Sequence, residues 1–325
     1  MRRKRGKIEA LIRQSDDVKY VIEMNEASRW RYVLAQQLAP IYAANPHVAA
    51  VLVGGSTARG HADRYSDVEL GVFWHQAPTY AERQVAAEHI NGDLIALYPY
   101  DPTEEVWSDD YMLGRAHPDQ PQSGVLVEVV HYTTDMLRRT FDAVLDQHTP
   151  DALKQNLIAG VVDGLPLYNA DLVQCWKDRA AAYPDGLAIA VINRYAQIDH
   201  FWRWEMWLHR SSNLMMLYHS FAQVQQQLLH VLLGLNRVYY FGIKWLVVVV
   251  ERLTYTPPDL VLRLARVYQV APAIGAQDLA TLVEETYDLV EQHRPEVNVA
   301  WLRAVFRYRR PMWDHAPPLK PGSTQ

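Results

Sequence analysis

The sequence predicts an α+β fold: a small mixed β-sheet with flanking helices, followed by an all-α region. Three observations carry this expectation. Residues 48–53 form a short run of valine, alanine and leucine that stops at Gly54-Gly55-Ser56. Residues 67–74 alternate with period two, and from about residue 135 the apolar spacing becomes helical. With 325 residues, 49% of them hydrophobic, the chain can bury a sizeable core, and its length suggests about two domains.

The elements follow in order. Ala27, Trp30, Leu34, Leu38 and Ile41 recur at helical spacing over residues 26–44, and Asn45-Pro46 ends that helix. Residues 48–53 read as a buried strand that enters the glycine turn. In residues 67–74 the alternation sets Val68, Leu70 and Val72 against Asp67 and Glu69, so both carboxylates point to one face. A helix over residues 80–90, a strand over 94–98 and a strand over 125–132 carrying Glu128 complete the mixed sheet. Beyond it, residues 188–210, 214–235, 260–268 and 278–293 show helical spacing. The expected organisation is a basic N-terminal extension at 1–25, a catalytic domain at 26–145, a helical substrate-binding domain at 146–315 and a disordered tail at 316–325.

Composition narrows the function classes. A formal net charge of -5 argues against a general nucleic-acid binder, which carries a basic face, and favours small-molecule partners. One cysteine, Cys175, excludes an intramolecular disulfide framework and a cysteine-based zinc site. The basic start lacks an apolar core of signal-peptide type, and the apolar runs at 228–235 and 245–250 are too short to span a membrane. A cytoplasmic protein without a membrane segment is expected, its oligomeric state open.

Glycine lets a backbone approach an anion closely, and the amides of a helix start can hold phosphates. By themselves Gly54, Gly55 and Ser56 could be an ordinary loop. Eleven residues after Ser56, however, Asp67-Val68-Glu69 presents two hard oxygen ligands on one strand face. Magnesium is commonly held by one or two carboxylates together with substrate phosphates. A third carboxylate from a neighbouring strand would allow a second ion, and Glu128 is the natural candidate, with His131 a weaker one. Arg59 and His61 either meet phosphate or cap the short helix. Lys244 offers a flexible charge and Arg237 a bidentate clamp to a triphosphate, or both are plain surface cations. The stripe His219, Gln223, Gln226 and His230 reads as a solvated helix face that could line an acceptor pocket. Among Phe201, Trp202, Trp204 and Trp207, most are expected in the core.

The pattern Gly55-Ser56, ten residues, then Asp67-Val68-Glu69 resembles the DNA polymerase β-like nucleotidyltransferase superfamily. Within it the likeness is to the minimal-domain branch that includes aminoglycoside and lincosamide nucleotidyltransferases. The resemblance covers residues near 50–132, and this chain has Glu69 where many relatives have a second aspartate. It implies that Gly55 and Ser56, with Gly54, grip the phosphates of ATP or another NTP, that Asp67 and Glu69 bind Mg²⁺, with two ions expected, and that Glu128 either binds the second ion or acts as general base toward the acceptor hydroxyl. It also implies a helical C-terminal domain that closes the cleft. The segment 235–245 is similar to one in uncharacterised members of that superfamily. The expected activity is transfer of NMP, AMP in the first instance, from Mg-NTP to a hydroxyl of a small molecule, releasing pyrophosphate. Two alternatives stay open: AMPylation of a partner protein by an antitoxin-like enzyme, and a non-catalytic nucleotide-binding regulatory module.

Overall fold

The computed structural model describes residues 24–114, 124–210, 214–312 and 314–315. The chain divides into two compact units, Met1–Tyr183 and Pro184–Gln325. The fold is α+β.

The first unit is built on a six-stranded mixed sheet. Helix α1 (Glu26–Ala43) starts where the Asn25 side chain accepts from the Ser28 amide at 2.8 Å. Strand β1 (Val48–Val53) leads through Gly54 into the one-turn helix α2 (Gly55–Ala58), and β2 (Val68–Trp74) returns antiparallel beside β1. Helix α3 (Tyr80–His89) opens with a capping box between Thr79 and Glu82. Strands β3 (Asp93–Leu97), β4 (Trp107–Leu113) and β5 (Val125–Thr133) follow. Helix α4 (Thr134–Phe141) runs on into a π-turn at Asp142–Asp146. After α5 (Ala152–Asp163) the short strand β6 (Leu165–Tyr168) pairs with β1, and α6 (Ala170–Ala181) closes the unit.

The spatial order is β3-β4-β5-β2-β1-β6, with β2 and β5 parallel and the other neighbours antiparallel. Alternation along the strands divides the sheet into two faces. Val51, Val68, Leu70, Val72, Val127 and Val129 are buried with Tyr32, Ala35, Leu38 and Tyr42 of α1 in one core. Burying that surface, at roughly 25 cal/mol per Å², is the main force holding α1 to the sheet. Asp67, Glu69 and Glu128 belong to the other face. There Phe73 stacks on Tyr132 at 5.1 Å and meets Trp176 of α6 at 4.8 Å.

The second unit is helical among its described residues: α7 (Asp185–Tyr195), α8 (Trp202–His209), α9 (Leu214–Leu235), α10 (Leu246–Glu251), α11 (Leu260–Arg266), α12 (Pro272–His293) and α13 (Val299–Arg307). Helix α9 is the central element, packed by α7 and α12. No helix among the described residues is long and apolar enough to cross a membrane.

Several expectations are corrected here. The segment 188–210 is two helices, α7 and α8, interrupted after Tyr195, and β6 is a strand inside a stretch whose spacing looked helical. His230 is 2% exposed rather than on a solvated face. It lies between the rings of Tyr195 at 4.0 Å and Tyr240 at 4.3 Å, and burial lowers its pKa to about 4. Of the aromatic cluster, Phe201 and Trp204 are buried, while Trp202 and Trp207 are half-buried. Residues 1–23 of the N-terminal extension, the whole tail at 316–325 and residues 115–123 lie outside the described residues.

Candidate metal and phosphate site

Asp67 is the last residue before β2, and a tight turn sets it there. Asp63 accepts from the Tyr65 amide at 2.8 Å and from the Ser66 hydroxyl at 3.2 Å. Arg31 reaches over from α1, buried at 3% exposure. Its guanidinium donates to Ala27 O at 3.0 Å, to Asp63 O at 2.7 Å and twice to Ser66 O at 3.1 and 2.7 Å. A buried cation that satisfies three carbonyls fixes the turn from behind. Asp67 is therefore presented by a rigid support.

Glu69 follows two residues later on the same face, and the parallel register sets it opposite Glu128 of β5. One carboxylate oxygen from each of Asp67, Glu69 and Glu128 lies within 4.8 Å of the others. Antiparallel pairing places Asp110 of β4 on the far side of Glu128, which extends the acidic row to four. Crowding has an electrostatic consequence: burial, and then the charges of Glu69, Asp110 and Asp67, push the Glu128 carboxyl up to about 7. Asp110 is also raised, chiefly by burial, against a 3.4 Å hydrogen bond from the Tyr98 hydroxyl. Three half-buried hard oxygen donors that repel one another fit a divalent cation such as Mg²⁺.

The glycine turn is joined to this cluster. The Gly54 amide donates to Glu69 O at 2.9 Å. Gly55 has φ +57°, and a methyl added there would stand 1.4 Å from Glu69 Oε2. Only glycine admits both that backbone and that carboxylate. Ser56 follows on α2, half-buried. The turn and Glu69 are thus one constructed unit, which two separate motifs in a sequence do not reveal.

The other predicted residues have the following surroundings within their own units. Arg59 Nε pairs with Asp163 Oδ2 at 2.7 Å, both side chains 11% exposed, and Asp163 also acts on the charge of Lys177 in α6. In the second unit Arg237 pairs with Asp185 at 2.5 Å, and Lys244 is exposed between α9 and α10. His61 is exposed near the turn. His131, three residues from Glu128, faces the opposite side of the sheet and is fully buried. Its Nε2 bonds Asp109 Oδ2 at 2.7 Å, and Trp74 Nε1 donates to its Nδ1 at 3.1 Å. Burial lowers its pKa against the pull of Asp109, so the neutral Nε2–H tautomer satisfies both partners. Arg83 completes this network with 2.6 Å to Asp109 Oδ1. Adjacent aspartates of β4 therefore serve opposite faces: Asp109 anchors the strand and Asp110 joins the acidic row.

Comparisons with known proteins complete the picture. No family model matches the chain, and no curated protein matches it. Among solved structures it is similar to a nucleotidyltransferase-like protein from Exiguobacterium sibiricum 255-15. That likeness has 13% identity and a TM-score of 0.35, over 79% of this chain and 73% of that one. It is also similar to a cytoplasmic RNA terminal U-transferase, at 12% identity and a TM-score of 0.24, over 54% of this chain and 50% of the other. Neither likeness assigns an activity to this chain.

Proposed function

We propose that the protein is a metal-dependent nucleotidyltransferase of the polymerase β-like type, moving NMP from an NTP, with ATP as the expected donor, to a hydroxyl of a small molecule. The observation that carries this is the meeting of Asp67, Glu69 and Glu128 within 4.8 Å, with Glu69 seated against Gly55. Asp67, Glu69 and Glu128 would hold Mg²⁺, which supplies neutralisation of charge at the α-phosphate. Gly54 has open space beside it for a phosphate oxygen, Gly55 yields its space to the Glu69 carboxylate, and Ser56 offers a hydroxyl donor. We assign Glu128 to the ligand set, since its oxygen shares the 4.8 Å cluster, and Asp110 to a charge beyond it.

A small-molecule acceptor is supported by the net charge of -5, which repels a polyphosphate backbone. The test is calorimetric titration of Mg²⁺ with a non-hydrolysable ATP analogue, comparing the native chain with the Asp67→Asn, Glu69→Gln double variant. A magnesium-dependent affinity lost in the variant supports the assignment, and equal affinity in both removes it.

A further inference from the structure

We propose that Arg59 and Asp163 are positioning residues for nucleotide binding: their ion pair clamps the far end of the Gly54-Gly55-Ser56 turn and so sets where Ser56 stands. This role rests on the nucleotidyl-transfer reading above. Arg59 then acts on the nucleotide through the turn and not by touching phosphate.

The turn has little of its own to hold it. Helix α2 is a single turn, closed by the Ala58 amide to Gly54 O at 3.1 Å and the Arg59 amide to Gly55 O at 3.2 Å. So short a helix is unstable alone, because fixing the first turn costs more than its hydrogen bonds return. Gly54 and Gly55 lead into it, and glycine loses the most freedom on ordering. As N-cap, Gly54 supplies no side-chain acceptor, and Thr57 Oγ1 is buried without a hydrogen-bond partner among the described residues. The conformation is imposed from outside.

One attachment lies at each end. Before the turn, Val53 pairs with Leu165 of β6, and the Gly54 amide donates to Glu69 O at 2.9 Å. After it, Arg59 Nε donates to Asp163 Oδ2 at 2.7 Å. Asp163 ends α5, and only Gly164 separates it from Leu165. Residues 53–59 and 163–165 therefore close a ring, with the strand pairing at one junction and the ion pair at the other.

Asp163 stands where α5 alone would not favour it. A carboxylate at a helix C-terminus meets the negative end of the helix dipole, and the last turn of α5 carries no basic residue to offset this. Arg59 supplies the offset, and with both partners 11% exposed the pair is largely shielded from salt. A turn freed at this end would have to be ordered by each incoming nucleotide. Regaining about one residue's backbone freedom lowers the binding-competent fraction to roughly a tenth, which raises the apparent Kd about tenfold. The carboxylate cluster has separate support, from Arg31 behind the Asp67 turn and from the β2–β5 register.

The experiment compares the full native chain with Arg59→Met, Asp163→Ala, the joint variant and Arg59→Lys. It measures the Kd of a non-hydrolysable Mg²⁺–ATP analogue, Mg²⁺ affinity without nucleotide, and amide hydrogen exchange. Asp163→Ala decides the sign. Loss of a negative charge by itself favours an anionic nucleotide, and an Arg59 that bound phosphate directly would bind it better once released. The clamp requires the opposite: a Kd raised about 3- to 10-fold in Asp163→Ala, and about tenfold in Arg59→Met and in the joint variant, which keeps the net charge. Arg59→Lys keeps a cation in reach and should stay within about threefold of native. Mg²⁺ affinity should move by less than about twofold, the sites being separately held. Exchange should quicken at the Ala58, Arg59 and His61 amides, which close the turn, while the β1–β2 ladder stays protected.

Native or tighter analogue binding in Asp163→Ala overturns the inference and leaves nucleotide binding intact. Mg²⁺ affinity that falls in step with nucleotide affinity also overturns it, as does exchange that quickens across the β1–β2 ladder. A native chain that does not bind the analogue removes the nucleotidyl-transfer reading itself, and the role of the clamp with it.

Discussion

Replacing Gly55 with alanine separates the cost of a strained turn from the cost of a displaced ligand. At φ +57° an alanine costs about 1–2 kcal/mol. Its methyl would stand 1.4 Å from Glu69 Oε2, whereas real contacts do not fall below 3.0 Å, so the carboxylate must retreat by at least 3.0 − 1.4 = 1.6 Å. The atom that moves is the far end of a flexible side chain. Leaving its rotamer adds about 0.5–1.5 kcal/mol. Urea unfolding should therefore show a loss of roughly 1.5–3.5 kcal/mol, with the fold retained.

Metal binding should suffer more in proportion. An oxygen displaced by 1.6 Å cannot meet an ion at the roughly 2.1 Å that magnesium requires while Asp67 and Glu128 hold their positions. Calorimetric titration with Mg²⁺ should show an affinity lower by about 10- to 100-fold, the scale seen when support for a ligand is disturbed. Glu69→Gln serves as the comparison: it should lose metal affinity without the turn penalty, because it removes one repelling charge and leaves Gly55 untouched. Native metal affinity in Gly55→Ala would refute the placement of Glu69 as a ligand.

The pH dependence of metal binding follows from Glu128. Its folded pKa of about 7 lies above the ordinary 4.5, so the metal-free fold holds a proton that the unfolded chain releases. Metal-free stability should therefore fall as pH rises from 4.5 through 7. The same proton competes with the cation, so Mg²⁺ affinity should rise by at most about tenfold between pH 6 and pH 8, and Glu128→Gln should flatten that slope. Thermal unfolding should separate the neighbouring aspartates of β4. Asp109→Asn leaves Arg83 buried without its charge partner and should cost roughly 3–5 kcal/mol, while Asp110→Asn should cost little or stabilise the metal-free protein. A joint Arg83→Met, Asp109→Leu variant should recover only part of the first loss, because His131 Nε2–H then lacks its acceptor.

Local pattern made part of this legible. Period two in residues 67–74 put Asp67 and Glu69 on one face, and the spacing of residues 214–235 coincides with α9. Whatever depends on partners distant in sequence stayed hidden. The run Trp107–Leu113 contains consecutive aspartates and does not look like a central strand, because Asp109 is tolerated only through Arg83 and His131, 26 and 22 residues away. Strand β6 is four residues long with Pro166 inside it, too short for a periodic signal. His230 looked solvated because its stacking partners come from α7 and from beyond the end of α9. Arg59 carried no mark of Asp163, 104 residues later, and the support of Arg31 for the turn before Asp67 spans 35 residues. In each case the placement depends on tertiary partners that local propensity does not encode.

The most direct test of the cluster as a metal–nucleotide site is titration of the native chain with a non-hydrolysable ATP analogue, with and without Mg²⁺, beside the Asp67→Asn, Glu69→Gln variant at pH 8. Tight binding that requires both Mg²⁺ and the two carboxylates is the expected result. Binding that is the same without the ion, or the same in the double variant, would contradict it.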